Sequence, residues 1–262
     1  MSLHDDRGRA ESFGAAAKRY DRSRPNYPAE LLNAVLGDDA TELRVLDVGC
    51  GTGIAARQMA ERGARVLGVE VDERMAEVAR ASGIPVEVSA FEEWDARGRL
   101  FDRITAAQAW HWVEPVRGTA AAAAALAPGG RLCLWWNVAE APGDFRTLVE
   151  PLYARLAPGA HGYSVLLGST SRPTPFGVAA ATAALAFSPH FATSARETFT
   201  WSRRYTRAQW LDQLPTHSDH ARLSPPVLAE LLDAVGEAID ALGGDFEMAY
   251  STTLLTAARR AR

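Results

Sequence analysis

"VLDVGCGTG", residues 45–53, decides the fold of this chain. Val45, Leu46 and Val48 surround a single acid, Asp47, and run straight into Gly49, Gly51 and Gly53. The aliphatic run reads as a buried strand. Glycines at alternate positions after it let the backbone turn sharply and approach a ligand closely. Beyond the loop, "IAARQMAER" (54–62) has helical spacing and stops at Gly63, where a residue without Cβ ends a helix cheaply. "RVLGVEV" (65–71) is a second aliphatic strand.

The alternation continues outward. "DERMAEVARAS" (72–82) is a helix opened by Asp72 as its cap. "PVEVSA" (85–90) and "FDRITAAQA" (101–109) are the third and fourth strands. "VRGTAAAAAALAPGG" (116–130) is a helix, since alanine is the best helix former, stopped by Pro128, Gly129 and Gly130. "RLCLWWNVA" (131–139) is the fifth strand. Strand–helix units of this kind make a parallel sheet with helices on both faces and right-handed connections.

The flanks are less regular. Residues 1–12 form a loose polar end, and "FGAAAKRYDRSRPNYPAELLNAVL" (13–36) reads as two helical pieces broken by Pro25 and Pro28. After the fifth strand comes a helix, "FRTLVEPLYARL" (145–156). Residues 157–190, rich in Gly, Pro, Ser and Thr, read as a long irregular cover. "RETFTWSRRY" (196–205) and "FEMAYSTTLLTAARR" (246–260) alternate like strands and are expected to pair antiparallel at the sheet edge. Helices are expected over 206–214 and 225–242. Neither an internal repeat nor a clear linker divides the 262 residues.

Composition narrows the function. Apolar residues make up 47% and charged residues 23%, enough for a full core. A net charge of −4 lacks the basic face that nucleic-acid binding needs. Without an apolar run of membrane-spanning length, and with a charged start, "MSLHDDRGRAESF", the chain is expected in the cytoplasm. Cys50 and Cys133, each in an apolar or glycine-rich stretch, suit a reducing compartment and make no metal cluster.

Two classes of ligand fit a glycine loop after the first strand, at the crevice where strand order reverses. The dinucleotide fingerprint is G-x-G-x-x-G. Here Ile54 stands where its third glycine would be, which weighs against NAD. Glu70, closing the second strand, can accept both hydroxyls of a ribose and so serves any adenosyl ligand. The competing reading of Glu70 is a solvent-facing acid near a turn.

"VLDVGCGTG", "VLGVEVDERM", "FDRITAAQAWHW" and "LAPGGRLCLWW", in that order, resemble the motif set of class I S-adenosylmethionine-dependent methyltransferases. "YDRSRPNYP", "WSRRYTRAQWLDQLPTHSDHARL" and "GGDFEMAYSTTLLTAARR" resemble a small-molecule subgroup of that family, the UbiE-like and trans-aconitate-type enzymes. The likeness covers most of the chain and is weakest over 141–195. It implies an α/β fold: a Rossmann-like, doubly wound, seven-stranded sheet. That sheet is mostly parallel, with an antiparallel C-terminal edge strand and a lid insertion after strand five. It also implies one domain over 1–262, divided into a helical cap (1–36), a cofactor-binding core (37–140), a substrate lid (141–195) and closing strands and helices (196–262).

The resemblance further implies that Asp47, Gly49, Gly51, Thr52 and Gly53 cradle the methionine end of S-adenosylmethionine. Glu70 holds the ribose, Val71 packs beside the adenine, and Ala90 and Phe91 border its ring. Many relatives carry Asp before that pair; here it is Ser89, with Glu92 a candidate substitute. Gln108 meets the cofactor's amino group, largely through backbone, Tyr20 closes over the sulfonium, and Arg24 can reach a carboxylate of cofactor or substrate.

Methyl transfer from a sulfonium is an in-line displacement that needs alignment and exclusion of water, with a base only for a protonated nucleophile. "QAWHWVEP" (108–115) lies where the fourth strand should end. If that strand persists, Trp110 and Trp112 share one side and His111 takes the other. His111 is the base candidate by position, or else a hydrogen-bonded residue shaping the loop; Tyr20 and Trp112 complete the candidate catalytic group. Trp135 and Trp136 point to opposite faces, one under a helix and one toward substrate. Tyr27, Trp110 and Trp136 are the candidate substrate contacts, favouring a flat or apolar acceptor, aromatic or a carboxylic acid. Tyr163, Phe176 and Phe187 are further contacts from the lid. Trp201 and Trp210 read as core. His217, Asp219 and His220 invite a metal reading but lack a fourth ligand, so a metal-free reaction is expected. The rival functions are a NAD(P)-dependent oxidoreductase and a non-catalytic module that binds S-adenosylmethionine.

Overall fold

The structure, a computed structural model, describes residue 14, residues 16–158 and residues 177–260. Its N-terminal part runs α1 (Ala17–Ser23), α2 (Ala29–Leu36), β1 (Arg44–Val48), α3 (Ile54–Ala60), β2 (Arg65–Glu70), α4 (Glu73–Ala81) and β3 (Val86–Val88). The middle runs β4 (Phe101–Ala107), α5 (Pro115–Ala125), β5 (Leu126–Glu140), α6 (Gly143–Leu156) and α7 (Val178–Phe187). The chain then closes with β6 (Ala195–Thr206), α8 (Arg207–Gln213), α9 (Pro225–Ala241) and β7 (Asp245–Ala258). Short 3-10 turns lie at Phe91–Glu93, Trp110–Trp112, Leu214–Thr216 and His220–Arg222.

One seven-stranded sheet has the order β3-β2-β1-β4-β5-β7-β6. β1 to β5 pair parallel, and β7 runs antiparallel to both β5 and β6. The last strand of the chain is thus the antiparallel one, seated between β5 and β6. Strand order reverses between β1 and β4, which places the ligand crevice at their carboxyl ends.

The strand alternation fills two layers. Leu46, Ile104, Leu132, Leu134 and Trp136 pack under α5 and α7, whereas Val45, Cys133, Trp135 and Leu254 pack under α2, α3 and α4. Trp135 and Trp136 therefore face opposite ways, but both are buried. A third cluster, including Phe145, Tyr153, Trp210, Val235 and Phe246, fastens α6, α8 and α9 around the ends of β6 and β7. Trp210 is core, as its amphipathic setting suggested.

Three elements differ from the sequence reading. α5 ends at Ala125, and Pro128, Gly129 and Gly130 belong to β5. Pairing on both sides, Phe101 with Leu126 and Arg103 with Arg131, carries the strand across the irregularity those residues create. Residues 178–187, read as irregular, form α7, because "VAAATAALAF" buries Val178, Ala181 and Leu185 in the core. β4 stops at Ala107, because Gln108 turns the chain with a φ of 57°. Trp110, His111 and Trp112 then form a 3-10 turn, so the expected two-sided strand pattern is absent.

Candidate functional site

The glycine loop folds over the end of β1. Gly49, Gly51 and Gly53 all have positive φ, at 62°, 57° and 85°. At Gly49 a Cβ would lie 2.6 Å from the Cβ of Ala109, so this position admits nothing larger than glycine. That close approach presses the loop after β1 against the turn after β4. Gly51 N donates to Glu70 Oε2 at 2.8 Å, and Val71 N and Asp72 N donate to Glu70 Oε1 at 2.9 and 3.1 Å. The carboxylate expected to hold a ribose is therefore fixed by backbone donors and 7% exposed, not a solvent-facing acid. Burial raises its pKa, and the three N–H donors work against that rise.

Asp47 is fully buried. Thr105 Oγ1 donates to its Oδ1 at 2.8 Å, and Oδ2 has no partner. Burial pushes this carboxyl up to about 7, the Thr105 hydroxyl opposing and the Glu70 charge adding to the rise. A buried carboxylate oxygen without a donor is costly unless a ligand supplies one. Thr52 Oγ1, in the same loop, is likewise buried and unpartnered. The unpartnered Asp47 oxygen suits the donor of a cation, and the Thr52 hydroxyl suits a polar group.

α1 is tied to this loop. Arg57 donates to the Thr52 carbonyl at 2.7 Å and pairs with Asp21 of α1 at 2.7 Å. Tyr27 N donates to Gln58 Oε1 at 2.9 Å, and Gln58 Nε2 donates back to the Tyr27 carbonyl at 3.0 Å. Tyr27 meets Trp135 edge-on at 5.6 Å, and Asp47, Tyr20 and Arg24 lie within its electrostatic range. Tyr20 is half-buried on α1, with the Arg24 guanidinium 4.8 Å from its ring centre.

The adenine side departs from expectation at two residues. Phe91 is 3% exposed and packs 6.0 Å from Trp110 inside the core, leaving Val71 and Ala90 as the half-buried pair. Glu92 does not replace the missing acid at Ser89. Its Oε1 accepts from Glu114 N, bracing the start of α5. Ser89 itself donates to the Ala90 carbonyl at 2.9 Å.

The turn after β4 holds the remaining candidates. Trp110, expected to touch substrate, is 3% exposed and in the core, because the 3-10 turn directs it inward. Trp136 is 2% exposed, and its indole N–H donates to His111 Nδ1 at 3.3 Å. Trp112 is half-buried, its ring 5.0 Å from that of His111. Gly177, at the start of α7, abuts both His111 and Trp136. Tyr163 and Phe176 lie outside the described residues. Phe187, at the far end of α7, is 90% exposed.

A second polar zone adjoins the first, and the sequence reading did not assemble it. Arg24 Nε donates to Thr216 Oγ1 at 3.0 Å, and Arg24 Nη2 donates to the Thr216 carbonyl at 2.9 Å and to His217 Nδ1 at 3.3 Å. His220 is fully buried, with Nε2 2.6 Å from the Tyr153 hydroxyl. Burial holds His217 well below its usual pKa, helped by Arg24 and His220, and takes His220 down to about 4. Arg203 of β6 donates to the Ser23 carbonyl and lies 4.6 Å over the Tyr205 ring. Along β7, Trp201 Nε1 donates to Thr252 Oγ1 at 2.8 Å, and that hydroxyl donates to Asn137 Oδ1 at 2.6 Å. The signal for the Trp201–Thr252–Asn137 chain was the interruption of apolar strands by Asn137 and Thr252. Among the described residues no three of His, Cys, Asp and Glu gather as metal ligands, and no helix is long and apolar enough to cross a membrane.

Comparison with known proteins follows this geometry. The profile of a family described as a methyltransferase domain matches residues 20–236. An uncharacterized methyltransferase of Mycobacterium tuberculosis is 41% identical over 132 residues, covering 49% of this chain and 53% of that one. The chain thus spans about half the length of that relative. A ubiquinone biosynthesis O-methyltransferase of Xanthomonas oryzae pv. oryzae is 33% identical over 171 residues, covering 58% of this chain and 71% of that one. A solved structure described as a candidate type II methyltransferase from Anaeromyxobacter dehalogenans superposes with TM-score 0.61 at 22% identity, covering 89% and 97% of the two chains. A Haemonchus contortus phosphoethanolamine N-methyltransferase, solved with phosphomonomethylethanolamine and S-adenosylhomocysteine, gives TM-score 0.55 at 17% identity, covering 100% of this chain and 61% of that one. At those identities the two structures speak for the fold.

Proposed function

The chain belongs to the methyltransferase-domain family, and from that premise we propose that it transfers a methyl group from S-adenosylmethionine to a small organic acceptor, without a metal. The observation that carries this reading is Asp47, a buried carboxyl with one unpartnered oxygen at the mouth of a three-glycine loop. It suits the ammonium of the cofactor's methionine end, while Glu70, preset by three backbone donors, suits the ribose. S-adenosylmethionine supplies an activated methyl group on a sulfonium. The protein's work is to align the acceptor with that methyl and to keep water out. In this reading Tyr20 on α1 and Trp112 in the turn after β4, both half-buried, wall the site.

His111 supports this scheme as a hydrogen-bond donor and not as a base. An indole N–H can only donate, so the Trp136 bond uses the lone pair on His111 Nδ1. In the neutral ring the proton then sits on Nε2. An acceptor already ionised, or carrying a free lone pair, needs no base.

The test is calorimetric titration with S-adenosylmethionine, S-adenosylhomocysteine and NADH. Micromolar binding of the two adenosyl ligands, with none of NADH, is expected. Binding of NADH alone would replace the reading with an oxidoreductase, and binding of none would refute cofactor-dependent methyl transfer. Gly51→Val should abolish adenosyl binding, since the new side chain would demand φ 57° of a β-branched residue beside Met75.

A further inference from the structure

In the seam between the end of α1, the C-terminal part of β6 and the turn at residues 214–222, where Asp219 acts on His220, two guanidiniums have no carboxylate partner among the described residues. Arg24 and Arg203 are both half-buried there. Elsewhere guanidiniums at the α1 end of the molecule meet carboxylates, as Arg22 meets Asp212 and Arg57 meets Asp21. Arg24 and Arg203 instead meet neutral groups: Thr216, His217 and the Tyr20 ring for one, the Ser23 carbonyl and the Tyr205 ring for the other. A charge withdrawn from water without a counter-ion is unfavourable until an anion arrives.

The neighbouring uncharged groups share that polarity. Arginine has donors only, so its contact with His217 Nδ1 consumes the lone pair there. The neutral His217 ring must then carry its proton on Nε2, and that atom is buried with no partner. Ser23 Oγ, in the next residue to Arg24, is also buried and unpartnered. Two cations, an imidazole N–H and a hydroxyl thus lie along one seam. Gln213 Oε1 is the one buried, unpartnered acceptor beside them. The seam adjoins the glycine loop, since Asp21, three residues before Arg24, pairs with Arg57, which donates to the Thr52 carbonyl. Beside the seam, Arg22 of α1 pairs with Asp212 of α8 at 2.7 Å.

We propose that this seam binds an anionic oxygen group of the methyl acceptor, with Arg24 and Arg203 supplying charge and His217 Nε2–H a directional donor. The acceptor is thereby an organic acid or a phenolate, and Arg203 and His217 decide its specificity. The inference rests on the methyl-transfer reading only in calling the ligand the acceptor.

The experiment uses the whole protein saturated with S-adenosylhomocysteine. Benzoate, citrate and, at pH 8, 4-nitrophenolate, with benzamide and 4-nitroanisole as neutral counterparts, are titrated calorimetrically into the wild type, Arg203→Met, Arg203→Lys and His217→Phe. At least one anion should bind ten-fold or more tighter than its neutral counterpart. Arg203→Met and His217→Phe should each weaken that anion ten-fold or more, with Arg203→Lys intermediate and S-adenosylhomocysteine affinity unchanged in all. Preference for carboxylate or for phenolate separates the two sources of the anion. Equal binding of anions and neutral counterparts, or no anion binding at all, overturns the proposal. So does a loss of S-adenosylhomocysteine affinity in a folded Arg203→Met, which would assign the seam to the cofactor. If S-adenosylhomocysteine fails to bind the wild type while anions still bind at the seam, the methyl-transfer reading falls and the anion site stands.

Discussion

The indole N–H of Trp136 in β5 donates to Nδ1 of His111 in the turn after β4, across 3.3 Å. This contact joins neighbouring strands at the mouth of the crevice and fixes which nitrogen of the imidazole carries its proton. Nitrogen-detected NMR of the histidine rings should show His111 as the Nε2–H tautomer at pH 7. Trp136→Phe should release it to a mixture of tautomers. Observation of the Nδ1–H form in the wild type would return His111 to the role of base.

If Asp47 holds the cofactor's ammonium as proposed, cofactor binding is a proton-linked event. Its carboxyl sits at about 7 in the ligand-free fold, mainly through burial. An ammonium beside it would favour the ionised form and lower that value. Binding S-adenosylmethionine near pH 6.5 should therefore release up to one proton, and affinity should rise with pH until about 7. Calorimetry in two buffers of different ionisation enthalpy checks this. Asp47→Asn should abolish the proton release and weaken binding by ten-fold or more.

The same carboxyl tilts stability the other way. Its folded pKa lies above the ordinary 3.8, so between 3.8 and about 7 the folded state holds a proton that the unfolded state has lost. Its contribution to ligand-free stability thus falls as pH rises through that window. Urea denaturation should show Asp47→Asn gaining on the wild type as pH goes from 4 to 7.

His220 has the opposite sign. Burial takes its pKa down to about 4 from the ordinary 6.5, so in that interval only the unfolded state is protonated. Stability from this residue is complete above about 6.5 and is lost as pH falls toward 4. His220→Gln, which does not titrate, should narrow the gap to the wild type as pH falls through that range, read by the same denaturation series.

Gln108 stores backbone strain at the end of β4, with φ 57° in a residue that has a Cβ. Its N–H donates to the Trp135 carbonyl at 2.9 Å, which holds the turn in place. Left-handed backbone costs an L-residue about 1–2 kcal/mol, more when the side chain is branched at Cβ. Gln108→Val should lower the denaturation midpoint, whereas Gln108→Gly should leave it unchanged or raise it. Equal loss in both variants would mean that the Gln108 side chain, not the turn, carries the stability.

The alternating strands and helices from Arg44 to Glu140 were legible because each obeys a local period, and so were the loop at 49–53 and the acid at Glu70. Local pattern determined the parallel half of the sheet and the glycine loop at its crevice. It failed where long-range contact overrides local preference. Pro128 and Gly129 look like a stop, yet pairing with β4 carries β5 through them. Trp110 looks like a pocket wall, yet the left-handed turn at Gln108 sends it into the core beside Phe91. Glu92 looks like a cofactor ligand, yet it is already committed to the start of α5. Arg24, Thr216 and His217 lie 192 and 193 positions apart in the chain, and no periodicity links them. Sequence thus set what each segment does with its own neighbours. Only tertiary packing half-buries Arg24 and Arg203 with no carboxylate partner among the described residues and pins His217 by one nitrogen, which is the basis of the proposed anion site.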